Sequence, residues 1–183
     1  MHKCLGLVLS NLAIAAIASP AFAQPVPDAV AEIRDAQGNA IGNAYFISTP
    51  DGVQIQMRLE EFDSAVAEDE RGQHGFHIHE VGECNPPDFM SAGSHFNPTG
   101  TAHGLLAPDG PHAGDLPNLW IEADGSADYS VTTNLISLVP GERNIFDADG
   151  SSLVIHATGD DYITDPAGNS GDRIACGVIV PAQ

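Results

Sequence analysis

Val53-Gln54-Ile55-Gln56-Met57-Arg58-Leu59-Glu60-Glu61 alternates apolar and polar side chains from Val53 to Glu60. Strict alternation is the mark of a strand with one face buried and one wet. Upstream, Ile41–Ser48 and Ala29–Arg34 also read as strands. Turn signals, Pro50-Asp51-Gly52 and Gln37-Gly38-Asn39, separate the three. Two hairpins in succession predict an antiparallel start. Downstream, His74–Glu80, Leu119–Ala123, Ala127–Thr132, Ser152–Ala157 and Arg173–Val180 read the same way, with Asp124-Gly125 as a hairpin turn. The count reaches eight strands with no 3.6-residue periodicity, so the class is all-β, a sandwich or barrel with Greek-key connections. Besides an acidic loop at Ser64–Gly72, two long connections stand out, from Gly82 to about Asn118 and from Thr158 to Asp172. Loops of that length inside a compact domain are usually functional or disordered.

The first residues are set apart from this domain. A basic start at Met1–Lys3, an apolar run Leu5–Ala18 and the small-x-small site Ala21-Phe22-Ala23 predict a cleaved export signal over residues 1–23. The run is shorter than the ~20 apolar residues of a membrane span. Removing it from the 183-residue chain leaves residues 24–183 as one domain, with no membrane insertion after cleavage and a periplasmic or secreted location. Of three Cys, Cys84 and Cys176 remain, and an even pair in an exported protein reads as one disulfide. Cleavage also removes Lys3, leaving five Arg against 25 acids. Such an acidic chain carries no broad basic patch for nucleic acid or anionic lipid.

Five of the eight His, His77, His79, His95, His103 and His112, fall in one stretch that ends at Asp115. Period two puts His77 and His79 on the same face of their strand. Imidazole suits copper and zinc, and an Asp adds a harder ligand suited to zinc. Zinc normally takes four ligands, so five His, Asp115 and His156 from a later strand exceed one site and argue for two neighbouring ions.

Five blocks carry a resemblance. They are Gly75-Phe76-His77-Ile78-His79-Glu80, Ser91-Ala92-Gly93-Ser94-His95-Phe96-Asn97-Pro98, His112-Ala113-Gly114-Asp115-Leu116-Pro117, Val154-Ile155-His156 and Gly171-Asp172-Arg173-Ile174-Ala175-Cys176-Gly177-Val178. In this order the sequence resembles copper-zinc superoxide dismutases over roughly Ala29–Val180. The resemblance implies an eight-stranded antiparallel Greek-key β-barrel, immunoglobulin-like in its sandwich, with two long functional loops. It implies superoxide as substrate, one copper and one zinc per chain, copper on His77, His79, His95 and His156, and zinc on His95, His103, His112 and Asp115. His95 would then be shared. Asp160 would link His77 to His103, Arg173 would hold the incoming anion, His74 would be a structural hydrogen-bonder, and Cys84–Cys176 would be the intrasubunit disulfide.

Cys84 only five residues after His79, Pro86-Pro87-Asp88 beyond it, and Gly159-Asp160-Asp161-Tyr162 in the second loop are similar to the bacterial, exported branch. That branch leaves monomer and homodimer both open. Family members often guide the anion with loop Lys, and here only Arg173 is available. A non-enzymatic exported copper- or zinc-binding protein of the same fold is the rival reading. Such a protein would be expected to lack a copper ligand or the Arg.

Overall fold

The computed structural model describes residues 26–60, 62 and 72–183. The expected signal segment, and the acidic loop apart from Gly72, lie outside the described residues. Ten strand segments follow in chain order: β1 (Ala29–Asp35), β2 (Ala40–Thr49), β3 (Gly52–Leu59), β4 (Gly72–His74), β5 (Phe76–His79), β6 (Leu119–Ile121), β7 (Ala127–Thr133), β8 (Ser152–His156), β9 (Arg173–Val178) and β10 (Val180–Pro181). All pairings between them are antiparallel. The eight expected strands become ten because two are interrupted. His74–Glu80 breaks at Gly75, so that β4 pairs with β6 while β5 pairs with β8, and the last strand breaks at Ile179.

The main sheet runs β5-β8-β9-β1-β2-β3-β7, with β10 beside β1, and β4–β6 forms a separate ladder. That ladder links the two edges. β4 continues into β5 through Gly75, and β6 turns into β7 through Ala123–Gly125, where the Glu122 N–H donates to the Ser126 carbonyl at 2.8 Å. Strands adjacent in space but distant in sequence, β9 beside β1 and β3 beside β7, give the Greek-key order. The main sheet curls into a half-barrel whose end strands are β5 and β7.

Alternation explains the core. Val53, Ile55, Met57 and Leu59 of β3 are buried, as are Ile33, Phe46, Phe76, Ile78, Leu119, Leu153 and Ile155 around the ring. β5 and β8 depart from this pattern, since every residue of both is buried. One face of each looks into the core, so the other must be roofed. The roof is the two long loops. Among the described residues the one helical piece is the 3-10 turn Met90–Ala92 within the first loop, and no helix is long and apolar enough to cross a membrane.

Candidate metal centre

The first loop is laid along the free edge of β5 by backbone bonds. The Ile78 N–H donates to the Gly114 carbonyl at 2.9 Å, the Phe96 N–H to the Ile78 carbonyl at 2.8 Å, and the Gly114 N–H to the Phe96 carbonyl at 2.8 Å. This stitching pairs His77 with Asp115 and His79 with His95. Gly114 is required for the approach, because a Cβ there would overlap the Ile78 carbonyl oxygen. On the other side β8 pairs with β5, and a register shift after Ile155 pairs His156 with Arg173 of β9.

The side chains converge in three buried groups: His77, His79, His95 and His156; His95, His103, His112 and Asp115; and His77, His103 and Asp160. In each, the candidate ligand atoms lie within 4.8 Å of one another. The seven ligand residues expected from the sequence, with Asp160, all fall in these groups. Around Asp115 the Nδ1 atoms of His95, His103 and His112 stand 2.9, 3.1 and 3.3 Å from the same oxygen, Oδ1. Its other oxygen is already satisfied by the Gly104 and His112 N–H groups at 2.8 and 2.9 Å.

Hydrogen bonds on the far side of the rings sort the nitrogens. Asp160 faces Nε2 of His77 at 2.8 Å and Nε2 of His103 at 3.1 Å. Carbonyls of Gly93 and Gly171 take Nδ1 of His79 and His156 at 3.1 and 3.2 Å. An acceptor at one ring nitrogen makes it the N–H and leaves the other with a lone pair. The lone pairs left over are Nδ1 of His77, Nε2 of His79 and Nε2 of His156, whereas His103 meets a carboxylate at each nitrogen, Asp160 at Nε2 and Asp115 at Nδ1. His95 has no carbonyl acceptor among the described residues, and its two nitrogens have different surroundings. Its Nδ1 joins the Asp115 set, while its Nε2 and the His77 Nδ1 are buried without a hydrogen-bond partner among the described residues.

These atoms fit metal ions. Nε2 of His79 and Nε2 of His156 are 3.4 Å apart, and Nδ1 of His95 and Nδ1 of His112 are 3.5 Å apart. Two nitrogens on one tetrahedral ion at 2.0–2.1 Å would stand ~3.3 Å apart. The Nε2 lone pairs of His79 and His156, so placed, repel unless a cation lies between them.

The electrostatics agree. Burial, followed by repulsion from His77 and by other neighbouring charges, holds His156 down at about 3. Burial likewise outweighs the Asp115 bond and takes His95 to about 4, and it puts His79 well below the ordinary imidazole range. These rings are kept neutral, the form that binds metal. His103 goes the other way. Burial lowers it, but the bonds to Asp115 and Asp160 prevail and raise it to about 9. For Asp115 and Asp160 burial is overcome by bonds from the His rings, and both are held far below the usual carboxylate range.

The signs give a stability profile for the metal-stripped chain. A His whose folded pKa is depressed lends stability above the unfolded value of about 6.5, lost as pH falls toward the folded value. His95 and His156 therefore withdraw support between about 6.5 and 4 or 3. His103, raised, contributes fully below about 6.5 and withdraws support as pH rises through 9. Stripped protein should be most stable near neutrality and melt roughly 5–10 °C lower at pH 4.5. A melting temperature unchanged between pH 7 and 4.5 would contradict the buried neutral rings.

Arg173 sits beside the first group, half-buried, and its charge helps depress His79 and His156. Its Nη1 and Nη2 donate to the carbonyls of Phe89 and Gly93 at 2.8 and 2.7 Å. Gly93 thus holds both Arg173 and His79. The disulfide Cys84–Cys176 ties the same loop segment to β9. His74, buried in β4, places Nδ1 2.8 Å from the His156 carbonyl.

The family-model comparison agrees with this geometry: residues 40–179 match the model described as copper/zinc superoxide dismutase. The chain belongs to the copper/zinc superoxide dismutase family. Superoxide is the substrate of that family, and copper and zinc are its metals. A superoxide dismutase [Cu-Zn] of Aquifex aeolicus is 44% identical over 180 residues, covering 98% of this chain and 99% of that one. Another from Caulobacter vibrioides is 42% identical over 154 residues, covering 82% and 84%. A solved SOD-like protein from Bacillus subtilis superposes with TM-score 0.75 at 40% identity, covering 82% of this chain and 97% of that one.

Some residues that shape the centre carry no side-chain signal in the sequence. Asn118 accepts the Asp160 N–H at 2.8 Å through Oδ1 and donates Nδ2 to the Asp160 carbonyl at 2.9 Å, fixing the carboxylate's backbone. Gly168, in the left-handed region at φ 63°, lies so close that a Cβ would overlap Asp160 Oδ1 and stand 2.8 Å from His103 Nε2. Gly168→Ala should displace Asp160 and weaken zinc retention about 10–100-fold, the usual cost of losing an outer hydrogen bond to a ligand. Competition against a chromophoric chelator measures this, and unchanged affinity would show that Asp160 moves aside without consequence.

Proposed function

We propose that this chain dismutes superoxide to dioxygen and hydrogen peroxide with copper held by His77, His79, His95 and His156 and zinc held by His95, His103, His112 and Asp115. The observation that carries the reading is His95, the one residue common to both four-ligand groups, with Nδ1 facing Asp115 and Nε2 buried without a hydrogen-bond partner among the described residues. Copper, when bound, supplies the one-electron redox cycle that zinc cannot.

The chain's own residues then have separate tasks. Arg173 keeps three of its five N–H donors beyond the two given to Phe89 and Gly93, enough to bind and orient a small anion. Peroxide needs two protons, and Nε2 of His95 is the buried atom able to hold one while Nδ1 stays with Asp115. Asp160 engages Nε2 of His77 and His103, so that Nδ1 of each is the nitrogen turned away from it and toward the ligand groups. His74 steadies the backbone of His156. Asp115 and the three imidazoles around it, gathered by zinc, order the loop from His95 to Asp115. Export to the periplasm or medium is supported by the pattern at Met1–Ala23 and by the Cys84–Cys176 bond, which persists in an oxidising compartment.

Metal analysis of the purified mature protein with a superoxide-consumption assay tests the proposal. The expected outcome is one copper and one zinc per chain and cyanide-sensitive activity. Zinc alone, with no activity after copper loading, would favour a metal-binding protein instead.

A further inference from the structure

We propose that Asp88 sets the anion affinity of Arg173 by placing a carboxylate on the turn whose Phe89 carbonyl binds the guanidinium. The proposal rests on the reading of Arg173 as the anion receptor.

Apart from the His rings of the centre itself, Arg173 is the basic side chain among the described residues whose charge acts on both His79 and His156. The other described Arg residues are engaged elsewhere, Arg34 with Glu32, Arg58 with Asp128 at 4.0 Å, and Arg143 with the Asn134 carbonyl at 3.2 Å. With no described Lys to supplement it, whatever neutralises Arg173 controls anion attraction at this site.

Asp88 is placed to do so by the turn that positions Arg173 itself. Phe89, the next residue, gives its carbonyl to Nη1 at 2.8 Å. Its ring is buried with Ala92, Val154 and Cys176, and its backbone lies in the left-handed region at φ 53°. Asp88 is exposed, and its Oδ1 accepts the Met90 N–H at 3.1 Å, so the carboxylate is held over the turn. Its distance from the guanidinium is therefore set by a buried anchor one residue away. Burial lowers the Arg173 pKa, and Asp88 is the charge that opposes that shift. Asp88 stands one residue from the carbonyl that Nη1 reaches at 2.8 Å, and the field of an exposed charge there is screened by added salt, over ~10 Å at 0.1 M.

Removing this charge while keeping the Oδ1 acceptor isolates the effect. Inorganic phosphate, titrated calorimetrically into zinc-loaded, copper-free protein at low ionic strength, reports anion affinity without turnover. We expect Asp88→Asn to bind phosphate about 3–10-fold more tightly than wild type, converging with it by 0.5 M salt. Asp88→Glu, which keeps the charge, should match wild type, and R173A should lose the binding. In the fully metal-loaded enzyme Asp88→Asn should raise superoxide consumption at low salt by a similar factor. Loss of phosphate binding in R173A together with equal affinities for wild type and Asp88→Asn would overturn the role of Asp88 alone. Binding absent from wild type, or unaltered in R173A, would overturn the anion role of Arg173 and the proposal with it.

Discussion

Replacing His156 by Ala should abolish superoxide consumption while leaving one zinc per chain, and replacing His112 by Ala should lower zinc retention while leaving a copper-binding set intact. The two ligand groups share only His95. His156 reaches the first group from β8, across the sheet from the loop that carries His95, His103, His112 and Asp115. Of the second group only the shared His95 is in ring contact with it. Losing one of four ligands removes several kcal/mol of charge stabilisation, so turnover should fall on the order of a thousandfold or more. Metal content by mass spectrometry and steady-state consumption, measured on both variants, separate the sets. His95→Ala supplies the contrast, because both metals should be weakened together. If His156→Ala lost zinc as completely as His112→Ala does, the two sets would be one coupled cluster and the division drawn from ring tautomers would fail.

That division was only partly legible in the sequence. Period two in Phe76-His77-Ile78-His79 places both His on one strand face, and the excess of ligands over four implies two ions; the structure brings all of these residues together. Arg173, Asp160 and the shared role of His95 came from the resemblance, since nothing in local spacing aims a residue at a site 80 positions away. Three features escaped altogether. The break at Gly75 is invisible because His74 to Glu80 reads as one strand, and what demands a Gly there is distant in sequence or tertiary in origin, Ser170 and the His77 ring leaving no room for a Cβ. The full burial of β5 and β8 depends on loops folding back over them, a tertiary effect that alternation within a strand cannot report. The acceptors that hold Arg173, His79 and His156 are backbone carbonyls of Phe89, Gly93 and Gly171, and a carbonyl has no side-chain identity to read. The chemistry of the centre is written in side chains, whereas its geometry is largely written in backbone.

Backbone positioning makes the disulfide the other site of large effect. Cys84–Cys176 spans 92 residues and joins the segment bearing Phe89 and Gly93 to β9, which bears Arg173. Removing so long a cross-link from an exported domain costs roughly 2–5 kcal/mol through the unfolded state. Cys84→Ser paired with Cys176→Ser should therefore lower the melting temperature by about 10 °C. A second consequence is local. Cys176, Phe89 and Val154 form a small buried cluster beside the main core, and Phe89 sits in the left-handed region without Gly's tolerance for it. Once the cross-link is gone, little besides that cluster opposes relaxation of the turn, and the carbonyls that pin Arg173 should drift. Activity should then fall more than metal content does, and amide exchange should accelerate in residues 84–93 while β1–β3 stay protected. Stability loss alone would speed exchange everywhere in proportion to the fall in global stability. A uniform change across the barrel, with activity per bound copper intact, would assign the disulfide to stability only and leave Arg173 held by its own hydrogen bonds.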